Sequence, residues 1–461
     1  VMRFQLALGL SQQEFASDRE FLASVTQASP CHVQTCPHGF QHGRARVNGQ
    51  QALTQFCFQH RVDRWQQTQT RRDIVRFITH CRVLWHMEQA RAFGYNGFMV
   101  VLRFFRGINL LLLCVPLSLI LQAFFHIAPL WVFLFAALAI VPLAGLMGKA
   151  TEQLAGHLGS IWGGLLNATF GNAPEMIIGL FALSAGQEEL VRASIVGSIL
   201  GNILLVLGGS ILAGGIKHKI QTFNQDHAES LSINLLLASL SLSVPTIFTA
   251  AYHHTHSPRD PDNIRLSVCV AVVLLLLYLA SLVFALRTHQ DLFRGCDESE
   301  DEPPEPPVWS KTVALLVLAV VTVFVGWESD ILVHSVEGAA RTLGVNQVFI
   351  GVIVVAIIGN AAEHATAIRM ALQNKMDITL SIALGSSIQI AMFVAPVLVL
   401  GGLLMHHPLT YLFSIPELTA IAFSVLIAAF IAGDGKSHWL EGAQLLAAYL
   451  LIALAFFFLP P

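Results

Sequence analysis

The chain has 461 residues, 54% hydrophobic and only 12% charged, with a mean hydropathy of +0.64; this balance lies well outside that of soluble domains and defines a polytopic membrane protein. The net charge of −3, with no interleaving of basic and aromatic residues, leaves no footprint for nucleic acid. Seven scattered cysteines fit no disulfide framework.

Residues 1–106 read as a water-soluble arm on the cytosolic side, because the first apolar patch, LALGL, is too short for a secretory signal. Cys31, Cys36, His38 and His42 lie close together, but the histidines fall too soon for zinc-finger spacing, so chance proximity is the expectation. Between about 71 and 91, Ile74, Phe77, Ile78, Cys81, Leu84 and Trp85 share a helical face opposite Arg71, Arg72, Arg76 and Arg82. That pattern suits an amphipathic helix resting on anionic lipid, or one packed on the rest of the protein.

From 107 onward, apolar runs of about 20 residues, enough to cross a bilayer, recur almost without pause. The expectation is an all-α protein with eleven spans: 107–126, 129–155, 160–186, 191–216, 229–252, 264–287, 309–340, 347–372, 377–405, 415–433 and 438–459. The loop YHHTHSP after the fifth span carries His253, His254 and His256 and reads as solvated. Between the sixth and seventh spans, within 288–308, the acids and prolines of CDESEDEPPEPP oppose regular helix and mark a cytosolic linker.

Two halves flank this linker. Gly171, Asn172, Ala173 and Glu175 recur 188 residues later as Gly359, Asn360, Ala361 and Glu363, and the same displacement relates Gly163 to Gly351, Gly197 to Gly385 and Ser198 to Ser386. At a nearby displacement of 185 residues, Glu152, Leu158 and Gly159 correspond to Glu337, Leu343 and Gly344. The reading is therefore one N-terminal helix followed by two five-helix repeats, 129–287 and 309–461. Because five is odd, the repeats thread the membrane in opposite directions, and sites in such folds lie at mid-membrane between the repeats.

Lys and Arg orient the chain by the positive-inside rule. Nine of them (Lys149, Lys217, Lys219, Arg287, Arg294, Lys311, Arg369, Lys375 and Lys436) fall on the side of the arm, against Arg192, Arg259, Arg265 and Arg341 on the far side.

Glu175 and Glu363 each interrupt an apolar run, where an ionisable residue is functional by default. Asn172 and Asn360 lie three residues earlier on the same helical face. Gly163, Asn167, Gly171 and Glu175 extend a small and polar stripe, while Gly171 and Pro174 weaken the helix so that carbonyls can turn inward. Ser198, Asn202, Ser386, Ser387 and Gln389 add hydroxyls and amides on the next spans, where helix–helix bonding competes with a role in the pathway. Oxygen ligands without thiolates suit a hard divalent cation, calcium above all. His364 neighbours Glu363 but points about 100° around the helix, where it could tune the carboxylate or admit a softer ion such as manganese. Glu152 and Glu337 fall near helix ends and read as structural or entrance residues.

Two ionised carboxylates in a dry site need one divalent ion or two protons, and these occupants exclude each other. A carrier that reorients only when filled is then a cation/proton antiporter, with Glu175 and Glu363 as both ligand and proton carrier. A sodium/calcium exchanger or a manganese-preferring exchanger is the alternative within transport. An intramembrane enzyme is remote, since EHATA lacks the H-E-x-x-H order and Asp434 in AGDG stands without a repeat partner.

The stretches GGLLNATFGNAPEMIIGLFAL and VIVVAIIGNAAEHATAI, with the acidic linker, resemble the calcium/cation antiporter superfamily and most of all its vacuolar calcium/proton exchangers, over roughly 104–460. The resemblance implies uptake of cytosolic Ca2+ into a vacuole against protons. It makes Glu175 and Glu363 the metal-binding and proton-exchanging acids, Asn172 and Asn360 their partners, and Gln389 a residue of the same path. It also implies no resident cofactor, membrane lipids as surroundings, and room for a homo-oligomer. Some members of the family carry an autoinhibitory N-terminal segment, for which residues 1–100 show no matching motif.

Overall fold

The computed structural model describes residues 107–124, 128–158, 160–252, 260–289 and 307–459. The arm with its helix at 71–91 and its Cys/His group, the loop at 253–259 and the acidic linker lie outside the described residues. Helix α1, Cys114–Phe124, is preceded by a 3-10 turn over Gly107–Leu113. Then come α2 Pro129–Ala155, α3 Ser160–Phe170, α4 Ala173–Ser184, α5 Glu188–His218, α6 Gln225–Tyr252 and α7 Pro261–Thr288. After the linker follow α8 Lys311–Leu343, α9 Gln347–Gly359, α10 Ala361–Leu372, α11 Met376–Leu404, α12 Ile415–Ala432 and α13 Trp439–Phe457.

Among the described residues, eight helices are long and apolar enough to cross a membrane, or nine when α9 and α10 count as one bent span. Helices suit such a chain because they satisfy every backbone polar group internally. Their ends are placed by local chemistry. Pro129 opens α2, Ser310 caps α8 through the Val313 amide at 3.3 Å, and Gly344, in the left-handed region at φ 68°, ends it. Ser414 and Glu417 form a capping box at α12.

Two helices form the centre. The apolar stretch of α5 is 83% buried within the protein and that of α11 is 61% buried, against 17% for α7. Leu276, Val323 and Phe430 on the outer helices present bare apolar side chains, as lipid contact requires. Close approach at the centre depends on glycine: a Cβ at Gly351 would fall 2.6 Å from the Ala193 side chain, and one at Gly197 would overlap the Val352 backbone. Off the helical layer, β1 (Ile220–Thr222) pairs antiparallel with β2 (Lys436–His438), Gln221 opposite Ser437. This short ribbon joins the α5–α6 connection to the α12–α13 connection.

The third expected span departs from the continuous helix drawn over 160–186. It is interrupted at Gly171 and Asn172, and its second piece is an apolar helix of only 12 residues. The eighth bends by 61° at Asn360. In each, a residue outside helical geometry is followed by a fresh N-terminus, Asn172 at φ −103°, ψ 24° and Asn360 at φ −89°, ψ 8°. The stripe through Gly163, Asn167, Gly171 and Glu175 is consequently cut in two, and Asn167 lies exposed on the first piece, α3.

Candidate ion site

Each break delivers its glutamate in the same way. Glu175 lies in the first turn of α4 and Glu363 in the first turn of α10, where the positive end of a helix favours a carboxylate. Backbone bonds from Met176 to Asn172 (3.1 Å) and from His364 to Asn360 (3.0 Å) restart the helices. The glutamate of one half reaches the break of the other: Glu175 Oε1 would stand 3.0 Å from a Cβ placed on Gly359. Gln389 Oε1 would stand 3.9 Å from a Cβ on Gly171, so both breaks are approached from the opposite half. Gly359 lies four residues before Glu363, so the Glu175 carboxyl sits at the start of the break that carries the second glutamate, and Ser386 lies beside the Glu363 carboxylate.

A chain of hydrogen bonds runs between the two halves beside the breaks. Asn172 Nδ2 donates to Gln389 Oε1. Ser386 Oγ donates to Asn172 Oδ1 at 3.1 Å, and Asn202 Nδ2 donates to Ser386 Oγ at 2.9 Å and Asn360 Oδ1 at 3.3 Å. Asn360 Nδ2 in turn donates to Ser198 Oγ at 3.1 Å and to the Ala356 carbonyl at 3.0 Å. Asn172, Asn202, Asn360, Ser198 and Ser386 are all buried. Within this network the Glu175 Oε2, Glu363 Oε2 and Asn202 Oδ1 atoms are buried without a partner. Unpartnered buried oxygens are costly, and here three helices each carry one.

Not every sequence candidate joins. Ser387 bonds back to the Ala383 carbonyl of its own helix at 3.0 Å. His364 is partly buried, with an unpartnered Nε2. Glu152 is exposed, and Glu337 pairs with Arg341 on an exposed face of α8. No group of three or more His, Cys, Asp or Glu side chains able to hold a metal occurs among the described residues, so the charged part of the site is the glutamate pair, with neutral oxygens around it.

Sequence reading missed two features. Ser194, one turn before Ser198, lines a crevice against Glu175 together with Ile178, Val355, Ile390 and Leu398; extending the Ser198–Asn202 stripe by four residues would have found it. Wide π-helical turns occupy Gly201–Val206, Ile350–Val355 and Ile390–Val394 beside the site, a distortion common near functional sites that composition does not announce.

The fold and site define a multi-span α-helical membrane protein whose core holds a carboxylate pair among amides and hydroxyls. The model of the sodium/calcium exchanger protein family matches residues 128–287 and 313–458, and the chain belongs to that family. It is 46% identical over 362 residues to the Ca(2+)/H(+) antiporter of Aphanothece halophytica, covering 76% of this chain and 96% of that one. To the vacuolar calcium ion transporter of Schizosaccharomyces pombe it is 40% identical over 356 residues, with 76% and 85% covered. The solved structure of native YfkE superimposes with a TM-score of 0.66 at 40% identity, covering 77% of this chain and all of that one. The vacuolar branch expected from the sequence is thus one of several to which the chain is similar.

Proposed function

We propose that the chain is a secondary active transporter that exchanges Ca2+ for H+ by alternating access, with Glu175 and Glu363 binding either the metal or the protons. The observation that carries this reading is a pair of glutamates at two half-helix N-termini, each with an unpartnered buried carboxylate oxygen, Glu175 reaching Gly359 at the break before Glu363. No cationic side chain pairs with either glutamate among the described residues. The negative charge is therefore offset by cargo: one Ca2+, which takes oxygen ligands in flexible geometry, or two protons. The names of similar proteins, a Ca(2+)/H(+) antiporter and a vacuolar calcium ion transporter, support calcium and protons as the exchanged ions.

In this scheme Asn172 and Asn360 end the preceding helices and present each glutamate at a half-helix N-terminus. Ser198, Ser386, Asn202 and Gln389 fix the asparagines and supply neutral oxygens. The separate family matches to 128–287 and 313–458 support two repeats, and the paired breaks at Asn172 and Asn360 support their inverted threading in an eleven-span protein. Its direction is out of the cytosol into an acidic compartment such as a vacuole, with the N-terminal side cytosolic.

Reconstitution into liposomes with an imposed pH gradient tests the proposal. Ca2+ uptake should follow the proton gradient, collapse with a protonophore and proceed without Na+; uptake that requires Na+ and ignores the protonophore would replace the reading with sodium/calcium exchange. Mn2+ offered in the same vesicles decides the metal preference.

A further inference from the structure

Glu328 is a buried carboxyl that the exchange scheme leaves unused. It sits near the middle of α8, fully buried, beside an apolar cluster that includes Val115, Leu143, Leu318, Val321 and Val325. Its partner is Ser118 on α1: the Ser118 Oγ lies 2.7 Å from Glu328 Oε1 and 2.8 Å from Oε2, and also 2.8 Å from the Val115 carbonyl. One hydroxyl carries one hydrogen, yet three acceptors crowd around it. Were the carboxyl ionised, its two oxygens would compete with the Val115 carbonyl for the single Ser118 hydrogen, and at least one carboxylate oxygen would stay buried without a donor. A hydrogen on the carboxyl resolves the deficit, for the acid O–H then donates to Ser118 Oγ while the Ser118 O–H donates to the Val115 carbonyl.

Among the described residues, no cation faces Glu328 from the helices packed on α8. The sole ionisable side chain of helix α1 is Cys114, which cannot supply a positive charge. Lys149 and Glu152 of α2 belong to its last two turns, whereas Gly338, farther along α8 than Glu328, meets Pro129 at the other end of α2. The sole ionisable group of α4 is Glu175, which is engaged at Gly359; α9 has none. On α8 itself, Asp330 pairs with His334 at 3.3 Å and Glu337 with Arg341, both at exposed positions. A buried charge without a counter-ion is among the most costly arrangements in a membrane.

We propose that Glu328 is a third proton-binding carboxyl, outside the ion path, whose bound hydrogen ties α1 to α8 through Ser118 and whose loss unties them. This goes beyond the exchange reading, because the proton stays with the helix pair and does not depend on which ion is carried.

Difference infrared spectroscopy on the reconstituted full-length protein tests it without measuring transport. At neutral pH, wild type should show a carboxylic-acid carbonyl band that is absent from Glu328→Gln, shifted in Ser118→Ala, and retained when Glu175 and Glu363 are both replaced by Gln. With the seven native cysteines replaced, spin labels at the lipid-facing positions Leu117→Cys and Trp327→Cys should separate as pH rises through loss of that band, and should hold their spacing in Glu328→Gln. Glu328→Gln is isosteric and keeps the donor to Ser118, so it is expected to fold and to carry Ca2+. A carboxylate band for Glu328 at neutral pH would overturn the proposal, and so would a label spacing that ignores pH or changes equally in the Gln variant.

Discussion

At the scale of single residues, the central pair and the amide chain beside it behave differently under substitution. Glu175→Gln and Glu363→Gln each keep the shape of the side chain but remove a charge that metal and proton share. Each should abolish proton-driven Ca2+ uptake in vesicles while the protein still folds; uptake at the wild-type rate in either variant would exclude that glutamate from the exchange. Asn202 is a tie, bonding both Ser386 and Asn360 across the halves. Its replacement by Ala should cost about 0.6 kcal/mol for each bond lost, the average for polar contacts between membrane helices. Thermal unfolding in detergent would then fall modestly, with a larger effect on Ca2+ affinity than on stability. The two glutamates were legible in the sequence because an ionisable residue in an apolar run, repeated at a fixed displacement, has few structural explanations. Glu328 carries the first signal without the second, and for that reason the sequence reading passed over it. Ser387, offered by the sequence beside Ser386, shows why a hydroxyl alone is a weak signal: a serine in a helix can satisfy itself on the carbonyl four residues back, as Ser387 does.

At the scale of elements, protons and metal compete for carboxylates that must be ionised to bind metal. Two such groups make the apparent Ca2+ affinity fall by up to about 100-fold for each unit the pH drops where both titrate. The sign is that of simple competition, weaker binding in acid, and Ca2+ titrations at stepped pH check the slope. A slope near tenfold per unit would mean that only one glutamate releases its proton. The crossing of α5 with α9 at Gly197 and Gly351 is the most demanding contact in the core, since at Gly197 any Cβ meets the Val352 backbone. Gly197→Val should destabilise by about 3 kcal/mol or more, the upper end of overpacking effects, read as loss of folded protein on expression or a lowered melting point. Helix ends were mostly legible; the second span, drawn over 129–155, forms α2 over those residues. The interruptions were only half legible. Gly171 and Pro174 marked the first as weak, but the second contains no proline, and local composition does not announce its 61° bend at Asn360.

At the scale of the whole molecule, an exchange of one Ca2+ for two protons moves no net charge. Ca2+ uptake into vesicles at a fixed pH gradient should accordingly ignore an imposed potassium diffusion potential. Any further translocated proton would couple the rate to voltage, at about 2.3 kcal/mol per elementary charge per 100 mV. Insensitivity to voltage would also agree with a Glu328 proton that remains with its helices.

The two-stranded ribbon gives the architecture a fixed rim. Because β1 belongs to one half and β2 to the other, and Gln221 in the first strand also grips the Ala371 carbonyl at the end of α10 at 2.9 Å, three loops on that face are stitched to one another. A seam of this kind acts as a pivot: those corners turn together or not at all, and any doorway on that face has to be opened by helices the stitching leaves free.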